Sequence, residues 1–193
     1  GSTQTVKGTT YHNLVIWGSG TKTLEATTVA NGTLNAVSGT LATGNYALTA
    51  SSIVMDGGGI SAGSSTISLT GTGAVFTRNT GLFTAGTSTI KLTDTSVTSK
   101  TFSGGGQTSN NLWLEGGAGG GSYTIAGSNT FNDFKDDGTI AHSILFTVAK
   151  TQTINTFTVN GQPGQLISID STTTGTHALV STGSNISVDY VTV

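Results

Sequence analysis

Short runs in which apolar and polar residues alternate with a period of two recur from one end of the chain to the other. They include Leu14-Val15-Ile16, Ser65-Thr66-Ile67-Ser68-Leu69, Ser88-Thr89-Ile90-Lys91-Leu92, Ser143-Ile144-Leu145-Phe146 and Leu166-Ile167-Ser168-Ile169. Gly, Asn, Asp or Ser bounds most of these runs and supplies the backbone conformations that turns require, so each run predicts a short β-strand. Helical patterning is missing. No window places apolar residues at i, i+3, i+4 and i+7 without a Gly or several Thr interrupting it. The pattern predicts an all-β protein.

The runs also repeat themselves. SAGSSTISL at Ser61 to Leu69 returns as TAGTSTIKL at Thr84 to Leu92, a step of 23. TSNNLWL from Thr108 returns more loosely as TFNDFKD from Thr130, a step of 22, and TYHNLVI from Thr10 opens the chain in the same style. Like segments at a fixed step of this size are the mark of stacked solenoid coils. The expectation is a right-handed parallel β-helix of eight or nine coils, roughly 40 Å tall at ~4.8 Å per stacked strand. A β-sandwich is the alternative, but it offers no reason for one constant step. Residues 1–193 read as a single solenoid domain, with Gly1-Ser2 as an expression scar and the whole as a segment of a longer protein. The period fades from about Phe146, where a small antiparallel cap is expected.

Coil stacking predicts which residues share a file. Leu14, Leu112 and Phe134 are expected inward in one file, Ile67 and Ile90 in a second, Leu69 and Leu92 in a third. Trp113 then points out, because successive strand residues face opposite ways. Lys135 follows one coil later, close enough for its ammonium to meet the indole face. Asn111, Phe131 and Asp133 are expected beside them, and Tyr11, Asn13, Val15 and Trp17 form the outward set of the first coil. An aromatic ring amid amides and a carboxylate is the chemistry of a sugar platform, so Trp113, Asn111, Phe131, Asp133 and Lys135 are the candidate carbohydrate-binding residues. The plainer alternative is that the glycine run Gly116 to Gly121 covers the ring. Asn110 and Asn132, spaced by 22, are expected inward as a structural asparagine ladder at a coil corner.

Composition sharpens this picture. Only 8% of the residues are charged and the net charge is −2, against about 25% charged in an average soluble domain. Ser, Thr, Asn and Gly carry the polarity instead. With no basic cluster, the counterion release that drives nucleic-acid binding has no source. No apolar stretch reaches the ~20 residues of a membrane helix, and the absence of cysteine removes disulfides and thiolate chemistry.

Candidate catalytic chemistry is sparse. Asp133, Asp136 and Asp137 form the one acidic cluster, and Asp136-Asp137-Gly138 reads as a turn whose neighbouring carboxylates face opposite ways. His12, His142 and His177 lie far apart without zinc spacing. The runs Gly57-Gly58-Gly59 and Gly104-Gly105-Gly106 lack the lysine and the helix of a phosphate loop. No metal, cofactor or catalytic residue is assigned.

The segments TYHNLVIWGSGTKTL, ANGTLNAVSGTLATGNYALT, TAGTSTIKL and FTVAKTQTINTFTVNGQPGQLISIDS resemble repeats of bacterial cell-surface β-solenoids and of phage virion proteins, which share a pectate-lyase-like shape. The resemblance covers nearly the whole chain and includes no catalytic motif. It implies a stalk, fibre or adhesive surface in a larger extracellular, cell-surface or virion protein. Some tailspikes of this shape cleave polysaccharide with an external acid pair, which has no counterpart here. The expected function is therefore a non-catalytic structural or adhesive module. A carbohydrate-binding surface is the first alternative. Ice binding through Thr21-Lys22-Thr23, Thr87-Ser88-Thr89 and Thr151-Gln152-Thr153 is the second. Expected partners are its own copies or neighbouring domains, and a cell-surface glycan under the carbohydrate reading.

Overall fold

A computed structural model describes residues 3–116 and 121–193. Gly1-Ser2 and most of the glycine run expected to cover Trp113 lie outside the described residues. The chain is all-β, with no helix among the described residues, and its parallel strands stack as a β-solenoid of about eight turns.

Each coil carries up to three strand segments and so presents three faces. The first face begins with Gln4–Val6, Thr21–Leu24, Thr40–Ala42, Gly59–Ser61 and Phe83–Thr84, a five-stranded parallel sheet. The second face includes Thr66–Leu69 and Thr89–Leu92, followed by residues 111–114, 133–136, 156–159 and 185–189. The third runs through Gly73–Thr80, Lys100–Ser103, Ser122–Ala126, His142–Phe146, Ile167–Ser171 and Val191–Thr192. Long strands such as Leu48–Asp56 bend round the corner. Residues 48–50 pair on the second face and residues 53–56 on the third.

The near-identical segments lie directly over one another: Thr66 pairs with Thr89, Ile67 with Ile90 and Leu69 with Leu92. Their shared Ala-Gly turn recurs as well. Ser65 N–H donates to Ala62 O at 3.0 Å and Ser88 N–H to Ala85 O at 3.1 Å. Gly86 has φ +59°, and a Cβ there would sit 2.3 Å from the Gly63 carbonyl oxygen one coil away. Only glycine accepts both that backbone and that approach.

The core is a set of inward files. Ile67, Ile90, Leu112, Phe134 and Phe157 follow each other on the second face, and Ile53, Phe76, Phe102, Ile125 and Phe146 on the third. All are buried. Rings stack where files are aromatic, Phe76 on Phe102 at 4.8 Å and Phe134 on Phe157 at 5.4 Å between centroids. Offset stacking adds about 0.5–1.5 kcal/mol per pair beyond the area buried.

Three expectations need correction. The step is not constant: Thr21 pairs with Thr40 and Thr40 with Gly59, a step of 19, whereas Phe157 pairs with Ile186, a step of 29. The 22–23 residue step belongs to the middle coils. Leu14 therefore joins Leu34 and Ile53 on the third face, not the file of Leu112 and Phe134. The last third is not an antiparallel cap. Thr151–Asn160, Ile167–Ser171, Leu179–Asp189 and Val191–Thr192 all pair in parallel, and the one antiparallel bridge among the described residues joins Gln162 to Gln165 within a turn. Longer connections hide the period there without changing the winding.

Candidate functional surface

Register places Lys91, Trp113 and Lys135 in one outward file on the second face. Their side chains point out because Leu112, Leu114 and Phe134 beside them point in. The Lys91 ammonium lies 5.0 Å from the Trp113 ring centroid and the Lys135 ammonium 5.4 Å from it. They come from the coils on either side of the indole, so each cation faces the ring's negative quadrupole. Lys91 also pairs with Glu115 at 2.7 Å, and Lys135 with Asp137 at 2.8 Å. The hydrogen bond to Asp137 raises the Lys135 ammonium above the usual lysine range, against a smaller opposing effect of burial. The indole N–H donates to Asp133 Oδ2 at 2.7 Å, and the Asn111 amide donates to Thr89 Oγ1 at 3.1 Å.

Of the five candidate carbohydrate residues, the structure thus brings Trp113, Asn111, Asp133 and Lys135 onto one outward surface. Phe131 is the exception and a correction. It is 1% exposed and packs in the core against Phe102 and Phe134. The chain turns a corner at Asn132-Asp133, which breaks the alternation and leaves Phe131 and Phe134 both inside.

The same corner corrects the asparagine ladder. Asn110 is half-buried and Asn132 exposed, both outside the core. Asn110 Nδ2 donates to Ser88 O and Asn155 Nδ2 to Asn132 Oδ1, each at 3.4 Å. The inward amide ladder is a different one. Asn129 Nδ2 donates to Gln152 Oε1 at 3.0 Å, with both side chains in the core. In the first coil, Val15 and Trp17 are exposed as expected, 59% and 75%, but Tyr11 packs against the core end and donates its hydroxyl to Lys7 O.

Sequence reasoning missed a buried polar cluster at the corner between the second and third faces. Asp136 occupies the inward file between Leu114 and Val159 and is fully buried. Its Oδ2 lies 2.6 Å from His142 Nε2, while His142 Nδ1 lies 2.7 Å from Ile140 O. Both partners of the imidazole are oxygens that accept, so only the doubly protonated ring satisfies both. Burial lowers the affinity of His142 for its proton, but the hydrogen bond and charge of Asp136 outweigh it and raise the pKa above the ordinary 6.5. Tyr123 sits edge-on to His142, and the buried Lys100 ammonium lies 5.8 Å from the Tyr123 ring. Lys100 also pairs with Asp94 at 2.9 Å and donates to Ser96 O. Burial acts to raise the Asp94 carboxyl, yet hydrogen bonds from Lys100 and Ser96 hold it below its ordinary value.

The missed signal was the strict alternation itself. Continued from Phe134 it turns Asp136 inward, and counted back from Ile144 it turns His142 inward. Reading Asp136-Asp137-Gly138 only as a turn concealed this, although the turn exists: Gly138 N–H donates to Asp136 Oδ1 at 2.9 Å. Among the described residues, no group of three His, Cys, Asp or Glu side chains is placed to hold a metal ion. Compared with known proteins, the chain matches no family model, no curated protein and no solved structure.

Proposed function

We propose that this solenoid is a non-catalytic structural or adhesive module of a larger cell-surface or virion assembly. The supporting observation is the closure of its most chemically distinctive surface on itself. Trp113 carries a lysine from each neighbouring coil, each lysine has its own carboxylate, and Asp133 accepts the indole N–H. A sugar stacks on a bare ring face, and lysines occupy both approaches here. Such a file ties three coils together along the rod and serves its stiffness. Asp136 and Asp137, the nearest thing to an acid pair, lie on opposite sides of the wall, one buried and one bound to Lys135.

Carbohydrate binding is kept as a second reading on one observation, moved from Trp113 to the first coil. Trp17 is 75% exposed and Val15, two residues before it, 59%, which gives an open aromatic surface of the kind that stacks on sugar C–H groups. A glycan array probed with the wild type, Trp17→Ala and Trp113→Ala separates the readings. No binding by any form is the expected result. Binding abolished by Trp17→Ala supports the second reading, and binding abolished by Trp113→Ala overturns the closed-surface argument.

A further inference from the structure

His142 sits at the centre of its own turn. Residues 137–141 leave the second face after Asp136 and reach the third at His142, and both ends of the turn close on the imidazole. Asp136 Oδ2 lies 2.6 Å from Nε2, and Ile140 O lies 2.7 Å from Nδ1. Between them Gly138 donates its N–H to Asp136 Oδ1 at 2.9 Å and packs on the ring, where a Cβ would come within 2.5 Å of His142 Cε1. The side chains of His142 and Asp136 are fully buried, whereas Asp137, Thr139 and Ile140 are exposed. A buried ring is thus the template for an exposed turn.

The two acceptors decide what loss of a proton does. The imidazolium donates to both, and the neutral ring keeps one N–H. That N–H stays on Asp136, because the bond to a carboxylate is the stronger and a buried anion facing a lone pair is the costlier arrangement. Nδ1 then meets Ile140 O lone pair to lone pair at 2.7 Å. Of the two partners, the carbonyl is the one free to move. Asp136 is fixed in the inward file between Leu114 and Val159, while Ile140 lies where water can take over its carbonyl. The tie from Ala141 N–H to Gln165 Oε1, 2.8 Å long, is itself exposed.

The charges around the ring leave Asp136 in control. Tyr123 packs edge-on from the preceding strand, and behind it Lys100, paired with Asp94, acts weakly against the imidazolium. The following strand sets Ile167 beside His142 and turns Asp170 outward beside Leu145. Asp137 is engaged on the outside by Lys135. Asp136 therefore outweighs burial, and the ring holds its proton above the ordinary 6.5.

We infer that the turn 137–141 is a proton-operated latch: the imidazolium of His142 holds it shut, and loss of the proton frees residues 139–141. Asp136 stays in place, and with it the Lys135–Asp137 pair beside Trp113, so the coil remains wound while the turn opens. The latch is independent of what the outward faces bind.

Nitrogen-15 relaxation on the labelled 193-residue chain, read beside the titration of the His142 ring, tests this. Below the midpoint of the ring, the backbone order parameters of Thr139, Ile140 and Ala141 should lie near the ~0.85 of rigid backbone, and above it they should fall below ~0.6. The Trp113 indole N–H, held by Asp133, should stay ordered throughout. Asp136→Asn removes the charge but keeps the shape, and should bring the midpoint of both ring and turn below 6.5, because burial then prevails. His142→Gln should make the order of the turn independent of pH. A turn equally ordered on both sides of the midpoint overturns the inference, and so does loosening that spreads to the Trp113 indole. An unmoved midpoint in Asp136→Asn, or a transition that survives His142→Gln, overturns it as well.

Discussion

Asp136→Ala tests the buried cluster most directly. The substitution leaves His142 in the core with a nitrogen aimed at nothing, in a position from which water is excluded. Removing one partner of a buried ion pair costs about 3–5 kcal/mol. For a chain of this size each kcal/mol lowers the melting temperature by about 2–4 °C, so the loss should be roughly 6 to 20 °C. The double variant Asp136→Leu with His142→Leu should recover much of this. A leucine side chain at position 136 would extend the file of Leu114 and Val159, and two of the orphaned groups that remain are Gly138 N–H and Ile140 C=O, at about 1–3 kcal/mol each if unsolvated. The pair also predicts a pH dependence of defined sign. Because the folded pKa of His142 lies above its ordinary 6.5, its contribution is complete below pH 6.5 and is lost as pH rises through the folded value. Lys100 acts weakly against the imidazolium, and Asp136 dominates. Thermal melts by circular dichroism at stepped pH, on the wild type and both variants, provide the measurement. The reasoning is refuted if Asp136→Ala melts within a degree or two of the wild type. It is equally refuted if the double variant keeps the wild-type loss of stability above neutrality.

Three further outcomes are expected. Phe134→Ala removes a ring that contacts Phe131, Phe146 and Phe157 and should destabilise by about 3–5 kcal/mol in chemical denaturation. Gly86→Ala forces a Cβ to 2.3 Å from the Gly63 carbonyl at φ +59° and should lower the unfolding free energy in chemical denaturation by more than the roughly 1–3 kcal/mol of backbone strain alone. Asp94 has a folded pKa below its ordinary 3.8, so its contribution is present above that value and lost as pH falls through the folded one. Acid titration of Asp94→Asn should accordingly lack part of the wild-type loss of stability below about pH 4.

The parts of the fold legible in the sequence are those where local and coil-to-coil patterns agree. STISL over STIKL is legible because the turn before each strand, Ala62-Gly63 and Ala85-Gly86, is the same and holds the register. Trp113 and Lys135 follow from the same strict alternation, whereas Lys91, on the coil before, was not placed beside the ring. Legibility fails at corners. Asn110-Asn111 and Asn132-Asp133 break the period of two, and a reader counting by twos through them puts Phe131 on the surface and Asn132 in the core. It fails again where coils change length. Leu14 resembles Leu112 in its neighbours, yet a 19–20 residue winding at the start of the chain delivers it to a different face.

By itself the sequence determined that the chain is built of short strands in stacked coils, because backbone preference and side-chain alternation act over a few residues and repeat. Only the tertiary structure decided which polar groups share the interior. Asp136 and His142, or Asp94 and Lys100, each pair six residues apart, meet across a corner between the second and third faces, and the path of the chain round that corner sets which side chains touch. A side chain's direction is local; its partner is set by how the coils stack.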